Sequence, residues 1–151
     1  MTKKLFTEQV MDQAASLCHN RGVKFTPQRR MVLEILYAAD KPMSAYEILD
    51  LMRGMVKNPA PPTVYRALDF LREQGLVHKL ESLQAFIGCI HPEYPHSSQF
   101  LICADCGGVS EINDAAIVQS LGTVSKSIGF QTKHPVVELL GTCAECTGKN
   151  Q

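Results

Sequence analysis

Hydrophobic residues recur at helical spacing through the first half of the chain. Between residues 7 and 75 they return every three or four positions in four segments, which predicts four amphipathic helices. Start signals precede the last three helices: Thr26 before Pro27, the capping-box sequence Ser44–Glu47, and Thr63. The residues that we expect to face inward are, helix by helix, Val10, Ala14, Leu17 and Cys18; Val32, Ile35 and Leu36; Ile48, Leu51, Met52 and Met55; and Val64, Ala67, Leu68 and Leu71.

After Gly75 the pattern changes to one that is typical of strands. Leu76–Leu80 and Gln84–Ile90 predict a hairpin around a turn near Ser82. The turn-rich stretch 91–98 is expected to be a hinge between one domain at 1–90 and another at 99–151. The elements expected in the second domain are a strand at Gln99–Cys103, a strand at Val109–Ile112, a helix at Ala115–Ile128 and a strand at Phe130–Leu140.

The complete pattern predicts an α+β protein in which helices and a hairpin precede a small α/β domain. The helix of the second domain carries an apolar stripe, whose simplest partner is the adjacent sheet. A subunit interface on the sheet edge or on exposed parts of the same helix is also compatible with the sequence. The stripe consists of Ile117, Leu121, Val124 and Ile128.

Composition and charge narrow the class of protein. No apolar run approaches the roughly 20 residues of a membrane span, and residues 1–10 lack a signal-peptide core, so we expect a cytoplasmic protein. The net charge is zero, but residues 1–88 hold 12 Lys and Arg against 9 Asp and Glu, a balance of +3. Residues 89–151 hold 3 against 6, a balance of −3. A polyanionic partner would therefore meet the first half.

Two cysteine pairs carry the strongest chemical signal. Cys103 and Cys106 are two residues apart, as are Cys143 and Cys146. Four thiolates at this spacing predict a closed, tetrahedral structural zinc site, which leaves no open position for a substrate. The alternative is a disulfide or a CxxC thiol redox protein. Neither pair is expected to open a helix, which disfavours a reactive thiol, and no nucleophile–base pair indicates a conventional enzyme.

Three compact helices followed by a hairpin form the outline of a winged helix-turn-helix. In the last helix, Tyr65 and Arg66 lie near the N-terminal end and opposite the apolar stripe, as residues of a DNA-recognition helix do. Arginine can bind guanine through two hydrogen bonds, while other cations contact phosphates. An ordinary solvated helix face would look similar. The candidate DNA-binding residues are Thr63, Tyr65, Arg66, Arg29 and Lys57.

These segments carry a family resemblance over nearly the whole chain. Thr26–Arg29, Ser44–Glu47 and above all Pro62–Leu71 resemble the ferric uptake regulator family of bacterial metal-dependent repressors, most closely its zinc-responsive members. The resemblance implies a winged-helix DNA-binding domain, a hinge and an α/β dimerisation domain. It also implies a homodimer that binds a palindromic double-stranded DNA operator when it is loaded with metal, and it places the cysteine pairs at the family's structural zinc positions.

A repressor that responds to metal needs a second site whose occupancy varies. If the hairpin turn centres between Ser82 and Leu83, Cys89 is a diagonal neighbour of His78 on one face. With His96 and Glu111 these residues form a set of two nitrogens, one sulfur and one oxygen, which suits Zn²⁺ and matches the family's sensing positions. The sequence thus predicts regulatory as well as structural zinc, in a repressor of zinc-acquisition genes.

Cys89 also separates this chain from the family's iron and peroxide sensors, which share the pattern but usually lack a cysteine at this position. An iron- or peroxide-responsive regulator remains the alternative within the family. A third metal site could include His91 and His134, together with Glu93 or Glu111. We expect Cys18, which has no partner in the first helix, to be packed as a small hydrophobic residue.

Overall fold

The computed structural model describes residues 3–93 and 97–149, and the chain divides into two compact units, residues 1–94 and 95–151. The first unit contains four helices followed by a two-stranded antiparallel hairpin. Its elements are α1 at Lys3–Asn20, α2 at Pro27–Ala38, α3 at Ala45–Arg53, α4 at Pro61–Glu73, β1 at Val77–Leu80 and β2 at Ala85–Gly88. None of the described helices is long and apolar enough to cross a membrane.

Side-chain caps begin two of these helices as the sequence predicts. The Oγ1 atom of Thr26 accepts a hydrogen bond from the backbone N–H of Arg29, 3.4 Å away, and Pro27 occupies the first position of α2. Ser44 and Glu47 form the complete capping box of α3, with distances of 3.1 Å and 2.7 Å. Together these caps satisfy N–H groups that a helix start leaves without intrahelical partners.

The predicted start of α4 is wrong. Thr63 does not cap this helix, which begins at Pro61 after Ala60 and has no side-chain cap. Proline is well suited to the first helical position because its φ angle is already helical and it lacks an N–H that would need a partner. The inward stripe of α4 is confirmed, because Val64, Ala67, Leu68 and Leu71 are all buried.

One cluster of buried side chains from the four helices and the hairpin forms the core of the first unit. Cys18 belongs to this cluster, as predicted. The stripe predicted for α3 is half wrong: Leu51 and Met55 are 48% and 60% exposed. The helix ends at Arg53. Its buried stripe shares Ile48 and Met52 with the predicted one but includes Ala45 and Leu49 in place of Leu51 and Met55.

The hairpin has the predicted register. His78 lies opposite Ile87, and the strands are shorter than predicted: the first begins at Val77, and the second runs only from Ala85 to Gly88. Gln84 has a positive φ of 49° in the turn. Beyond β2, the backbone N–H of Cys89 donates to the carbonyl oxygen of Leu76 at 2.9 Å, which keeps Cys89 beside the first strand.

The second unit is built on a three-stranded sheet with the order β4-β3-β5. The central strand, β3, is antiparallel to β4 and parallel to β5. Buried Gln99 joins the sheet to the next helix, since its Oε1 accepts a hydrogen bond from the N–H of Asp114 at 2.8 Å. The elements are β3 at Gln99–Cys103, β4 at Val109–Ile112, α5 at Ala115–Ser127, β5 at Val137–Gly141 and α6 at Ala144–Lys149.

Three expectations for the second unit are wrong. The last strand begins at Val137, and the residues from Phe130 onward form a loop that contains Pro135, which cannot donate a ladder hydrogen bond. The short helix α6 was not expected. The stripe of α5 does not pack on the sheet: Ile117 is half-buried, while Leu121, Val124 and Ile128 are 46%, 61% and 75% exposed. Periodicity identifies an apolar face but not what covers it.

Candidate metal centre and nucleic-acid interface

The four cysteines of the second unit come together in one cluster. Each offers an Sγ atom, and the four Sγ atoms lie within 4.8 Å of one another. The topology explains this meeting, because β3 and β5 are parallel neighbours and Cys103 is paired with Gly141. The turn after β3 and the segment after β5 therefore leave the sheet at the same end, carrying Cys106, Cys143 and Cys146.

Backbone geometry aims the sulfur atoms at a common point. The N–H of Cys143 donates to Cys103 Sγ at 3.3 Å, and the N–H of Gly108 donates to Cys106 Sγ at 3.4 Å. Gly107 has a φ of 72°, a left-handed conformation that glycine adopts without a steric penalty. The Sγ atoms of Cys106 and Cys143 are 3.9 Å apart. Tetrahedral zinc with Zn–S bonds of about 2.3 Å requires sulfur separations of roughly 3.8 Å, so the cluster fits zinc.

The protonation of the cluster is uneven. Hydrogen bonds from backbone N–H groups, first that of Cys143, lower the pKa of Cys103 to about 6. The hydrogen bond to Cys143 and then burial raise the pKa of Cys146 to about 12. Four thiolates cannot accumulate this close together without a cation, because like charges favour the protonated form. A divalent metal supplies the charge that protons otherwise provide.

The second cysteine pair lies at the start of a helix, contrary to the sequence-based expectation. Cys143 immediately precedes α6, and Cys146 lies within it. The absence of a helix therefore no longer argues against a redox protein. The gathering of all four sulfur atoms into one cluster is the stronger argument, because a redox pair needs only two.

Of the predicted regulatory ligands, two lie together in the first unit. His78 is half-buried in β1, Cys89 is buried just after β2, and their donor atoms are within 4.8 Å of each other. Glu111 belongs to β4 of the second unit, where its Oε1 accepts a hydrogen bond from Ser98 Oγ at 2.6 Å. His96 lies outside the described residues.

The residues suggested for a third site are more exposed. His91 Nδ1 lies 3.3 Å from Glu93 Oε1, and Glu93 Oε2 accepts a hydrogen bond from Gln13 at 3.2 Å. A hydrogen bond from its own backbone, followed by the contact with His91, lowers the pKa of Glu93. His134 is exposed in the loop before β5. Within the described part of each unit, neither histidine belongs to a group of three metal donors.

The candidate nucleic-acid interface centres on the solvent side of α4. Tyr65 is 56% exposed and Arg66 is also exposed, whereas Thr63 is half-buried in the first turn. Lys57 is exposed in the loop before the helix. Arg29 packs closer to the protein, with its guanidinium 3.7 Å from the centroid of the Phe70 ring and a hydrogen bond to the carbonyl of Lys24.

A helical bundle with a hairpin wing, followed by a sheet unit with a four-thiol cluster, defines a winged-helix protein with a metal-binding second unit. The model of the ferric uptake regulator family matches residues 20–140, and the chain belongs to this family. The resemblance inferred from the sequence motifs is therefore confirmed.

Known members of the family are similar to this chain to different degrees. The chain is 41% identical over 145 residues to the zinc uptake regulation protein of Escherichia coli (strain K12), covering 95% of this chain and 85% of that protein. A solved zinc uptake regulator complexed with zinc and DNA superposes with a TM-score of 0.92 at 41% identity, covering 95% and 97% of the two chains. The peroxide operon regulator of Bacillus subtilis (strain 168) is more distant, at 27% identity over 92% of this chain and 94% of its own.

Proposed function

We propose that this protein is a zinc-responsive transcriptional repressor of zinc-acquisition genes. It acts in the cytoplasm as a homodimer that binds a palindromic double-stranded DNA operator when zinc is bound, and it is not an enzyme. The observation that carries the proposal is the pairing of a thiol and an imidazole, Cys89 and His78, on the wing of a chain similar to a zinc- and DNA-bound regulator. The DNA-binding domain is 1–90, the hinge is 91–98 and the dimerisation domain is 99–151.

The four-cysteine cluster is the structural zinc site of this proposal. Cys103, Cys106, Cys143 and Cys146 hold the ion, and its charge compensates four thiolates that would otherwise repel one another. All four ligands belong to the second unit, so the ion stabilises that unit whatever the state of the rest of the chain. This is the behaviour of a permanent structural metal, whose binding energy is folding energy.

The regulatory zinc is held by His78, Cys89, His96 and Glu111. Without metal, a Cys89 thiolate and the Glu111 carboxylate would repel each other, whereas Zn²⁺ neutralises both. The ligands come from the wing, the hinge and the second domain, so the site is complete only in an arrangement that supplies all of them. Zinc favours that arrangement only to the extent that it binds the complete site more tightly than it binds arrangements in which some ligands are missing. His91 and His134 are the candidates for any third metal site.

The Cys89 thiol supports zinc sensing over the alternative of iron or peroxide sensing. Zinc accepts sulfur, nitrogen and oxygen donors in one tetrahedral site, whereas the 2-His-1-carboxylate sites typical of non-haem Fe(II) contain no thiolate. Cys89 is 1% exposed and lies beside His78, which suits a metal ligand shielded from oxidants. The greater distance from the peroxide operon regulator agrees with this choice.

DNA is bound by α4 as the recognition helix. Tyr65 and Arg66 project from the side opposite the buried stripe, so they can enter the major groove without disturbing the core. In this proposal Thr63, in the first turn, and Lys57, in the preceding loop, contact the DNA backbone. Arg29, held by Phe70, contacts a phosphate with its remaining donors.

A homodimer explains the exposed apolar surface of the second unit. Leu121 and Val124 on α5 and Ile128 just after it are each 46–75% exposed, and Leu139 and Leu140 on β5 are 56% and 64% exposed. Side chains of this kind concentrated in one small unit indicate a surface that is covered by a protein partner. Twofold symmetry then matches a palindromic operator, because each half-site meets one wing domain.

Metal analysis combined with operator binding tests this function. We expect two zinc ions per chain, of which one survives mild chelation, and an operator affinity that rises at least about 5-fold on restoring the second ion. Cys89→Ala should abolish the second ion and the response to zinc. Cys18→Ala is the matched control, since Cys18 is equally buried in the same unit. Equal operator affinity with and without the second ion, or a stronger response to Fe²⁺, would refute zinc sensing.

A further inference from the structure

A tyrosine of α2 contacts the backbone beside the proposed sensing thiol. The hydroxyl of Tyr37 donates a hydrogen bond to the carbonyl oxygen of Cys89. The Tyr37 ring also meets the ring of Phe6 from α1 edge-on, with centroids 6.4 Å apart and an interplanar angle of 66°. Tyr37 therefore connects two helices of the bundle to the chain segment that leaves the wing.

The same ring packs directly on Gly88. A Cβ atom at this position would lie 2.6–2.9 Å from three atoms of the Tyr37 ring, closer than real Cβ contacts. The φ angle of Gly88 is not in the left-handed region, so the requirement for glycine here is steric. Gly88 and Tyr37 thus form a matched pair in which the missing side chain of one makes room for the ring of the other.

These contacts fix Cys89 from two sides. Its N–H donates to the carbonyl of Leu76 beside β1, and its carbonyl accepts from Tyr37. With both backbone polar groups held, the peptide plane on each side of Cys89 has little freedom to rotate. The sulfur atom then starts from a defined position relative to His78, whose donor atom lies within 4.8 Å of it.

We propose that Tyr37 is a positioning residue for the regulatory zinc, which it does not touch; this inference rests on the function proposed above. It holds the Cys89 backbone so that the thiolate points toward the ion before the ion arrives. A ligand that is already oriented binds with less loss of conformational freedom, and partners of this kind change metal affinity by about 10–100-fold when they are removed.

Tyr37→Phe removes the hydroxyl and keeps the ring on Gly88. We expect the second zinc to bind about 10-fold more weakly, measured with a competing chelator, while the chelation-resistant zinc stays at one per chain. Co²⁺ bound at the second site should show a weaker or shifted thiolate-to-metal absorption band. At saturating zinc, operator affinity should stay within about 2-fold of wild type. Tyr46→Phe is the control, because Tyr46 is 65% exposed and lies on α3.

Gly88→Ala tests the same contact from the other side. The added methyl group displaces the Tyr37 ring and should also weaken the second zinc, with thermal unfolding recorded to separate this effect from loss of the fold. Unchanged zinc affinity and an unchanged cobalt spectrum in Tyr37→Phe would overturn the positioning role while leaving zinc sensing intact. Absence of a thiolate-containing second site in the wild type would instead overturn the proposed function, and this inference with it.

Discussion

Removing one ligand of the four-cysteine cluster should unfold the second unit and leave the first unit folded. Cys146→Ala removes one thiolate from α6 at a half-buried position, so little packing is lost directly. In the described part of the second unit, the buried hydrophobic side chains are Phe100, Ile102 and Cys103. At about 1.5–3 kcal/mol for a fully buried large side chain, burial within one chain stabilises this unit by less than about 10 kcal/mol.

Structural zinc contributes a term at least as large. Its apparent binding free energy is about 10–16 kcal/mol at pH 7, and this energy stabilises only the folded unit. The first unit has no such dependence, because its core joins all four helices to the hairpin. Since the subunit contact proposed for α5 needs a folded second unit, the dimer should be lost together with the zinc.

Hydrogen–deuterium exchange, zinc content and light scattering measure the three consequences together. In Cys146→Ala, amides of β3 and β5 should exchange rapidly, the chelation-resistant zinc should be lost and the protein should become monomeric, while amides of α2 and α4 stay protected. Thr147→Ala is the control, because it changes the next residue of α6 and removes only a hydrogen bond of 3.0 Å to Cys143. Slow exchange in β3 of a zinc-depleted Cys146→Ala protein would refute the reasoning.

Two further predictions concern DNA and protons. Arg66→Ala should reduce discrimination between operator and mutated operator by about 1–3 kcal/mol, whereas Lys57→Ala should weaken binding to all sequences alike. Both are measured as binding affinities at several salt concentrations. If Arg66→Ala leaves the discrimination unchanged, Arg66 does not contact the bases. Because the pKa of Cys146 is raised to about 12, this group is a thiol at neutral pH without metal, and zinc binding must displace its proton. Calorimetry in buffers of different ionisation enthalpy should therefore show at least one proton released per zinc and an affinity that falls as the pH falls; a binding enthalpy independent of buffer contradicts this.

Local signals in the sequence predicted much of the fold. The capping box at Ser44 and the register that places His78 opposite Ile87 were both correct, because each depends on residues only a few positions apart. The error in α3 arose because its sequence contains two overlapping apolar stripes, and either could have been the buried one. Gly54 follows the last residue of α3, so Met55 lies beyond the helix and the overlapping stripe that contains Leu49 is buried instead.

Features that depend on distant residues were harder to predict. The fit of Gly88 against Tyr37 joins residues from different elements, and neither residue carries a local signal of the contact. The α5 stripe shows the same limit, because an apolar face such as that of Val124 has the same pattern whether a sheet or another subunit covers it. The spacing of the four cysteines suggested their cluster, but their meeting required the parallel pairing of β3 with β5.

In the proposed function, the different distribution of ligands along the chain lets one protein use zinc in two ways. The four-cysteine cluster draws every donor from the second unit, so its affinity does not depend on how the chain is otherwise arranged. The proposed regulatory set has only His78 and Cys89 in the first unit, and two donors form an incomplete tetrahedral site. Its apparent zinc affinity is therefore the affinity of the complete site multiplied by the fraction of molecules that present the remaining ligands. This weaker binding makes the occupancy of the site sensitive to free zinc. Because the coupling is reciprocal, operator DNA that selects the same arrangement should tighten zinc binding at this site and leave the four-cysteine cluster unaffected.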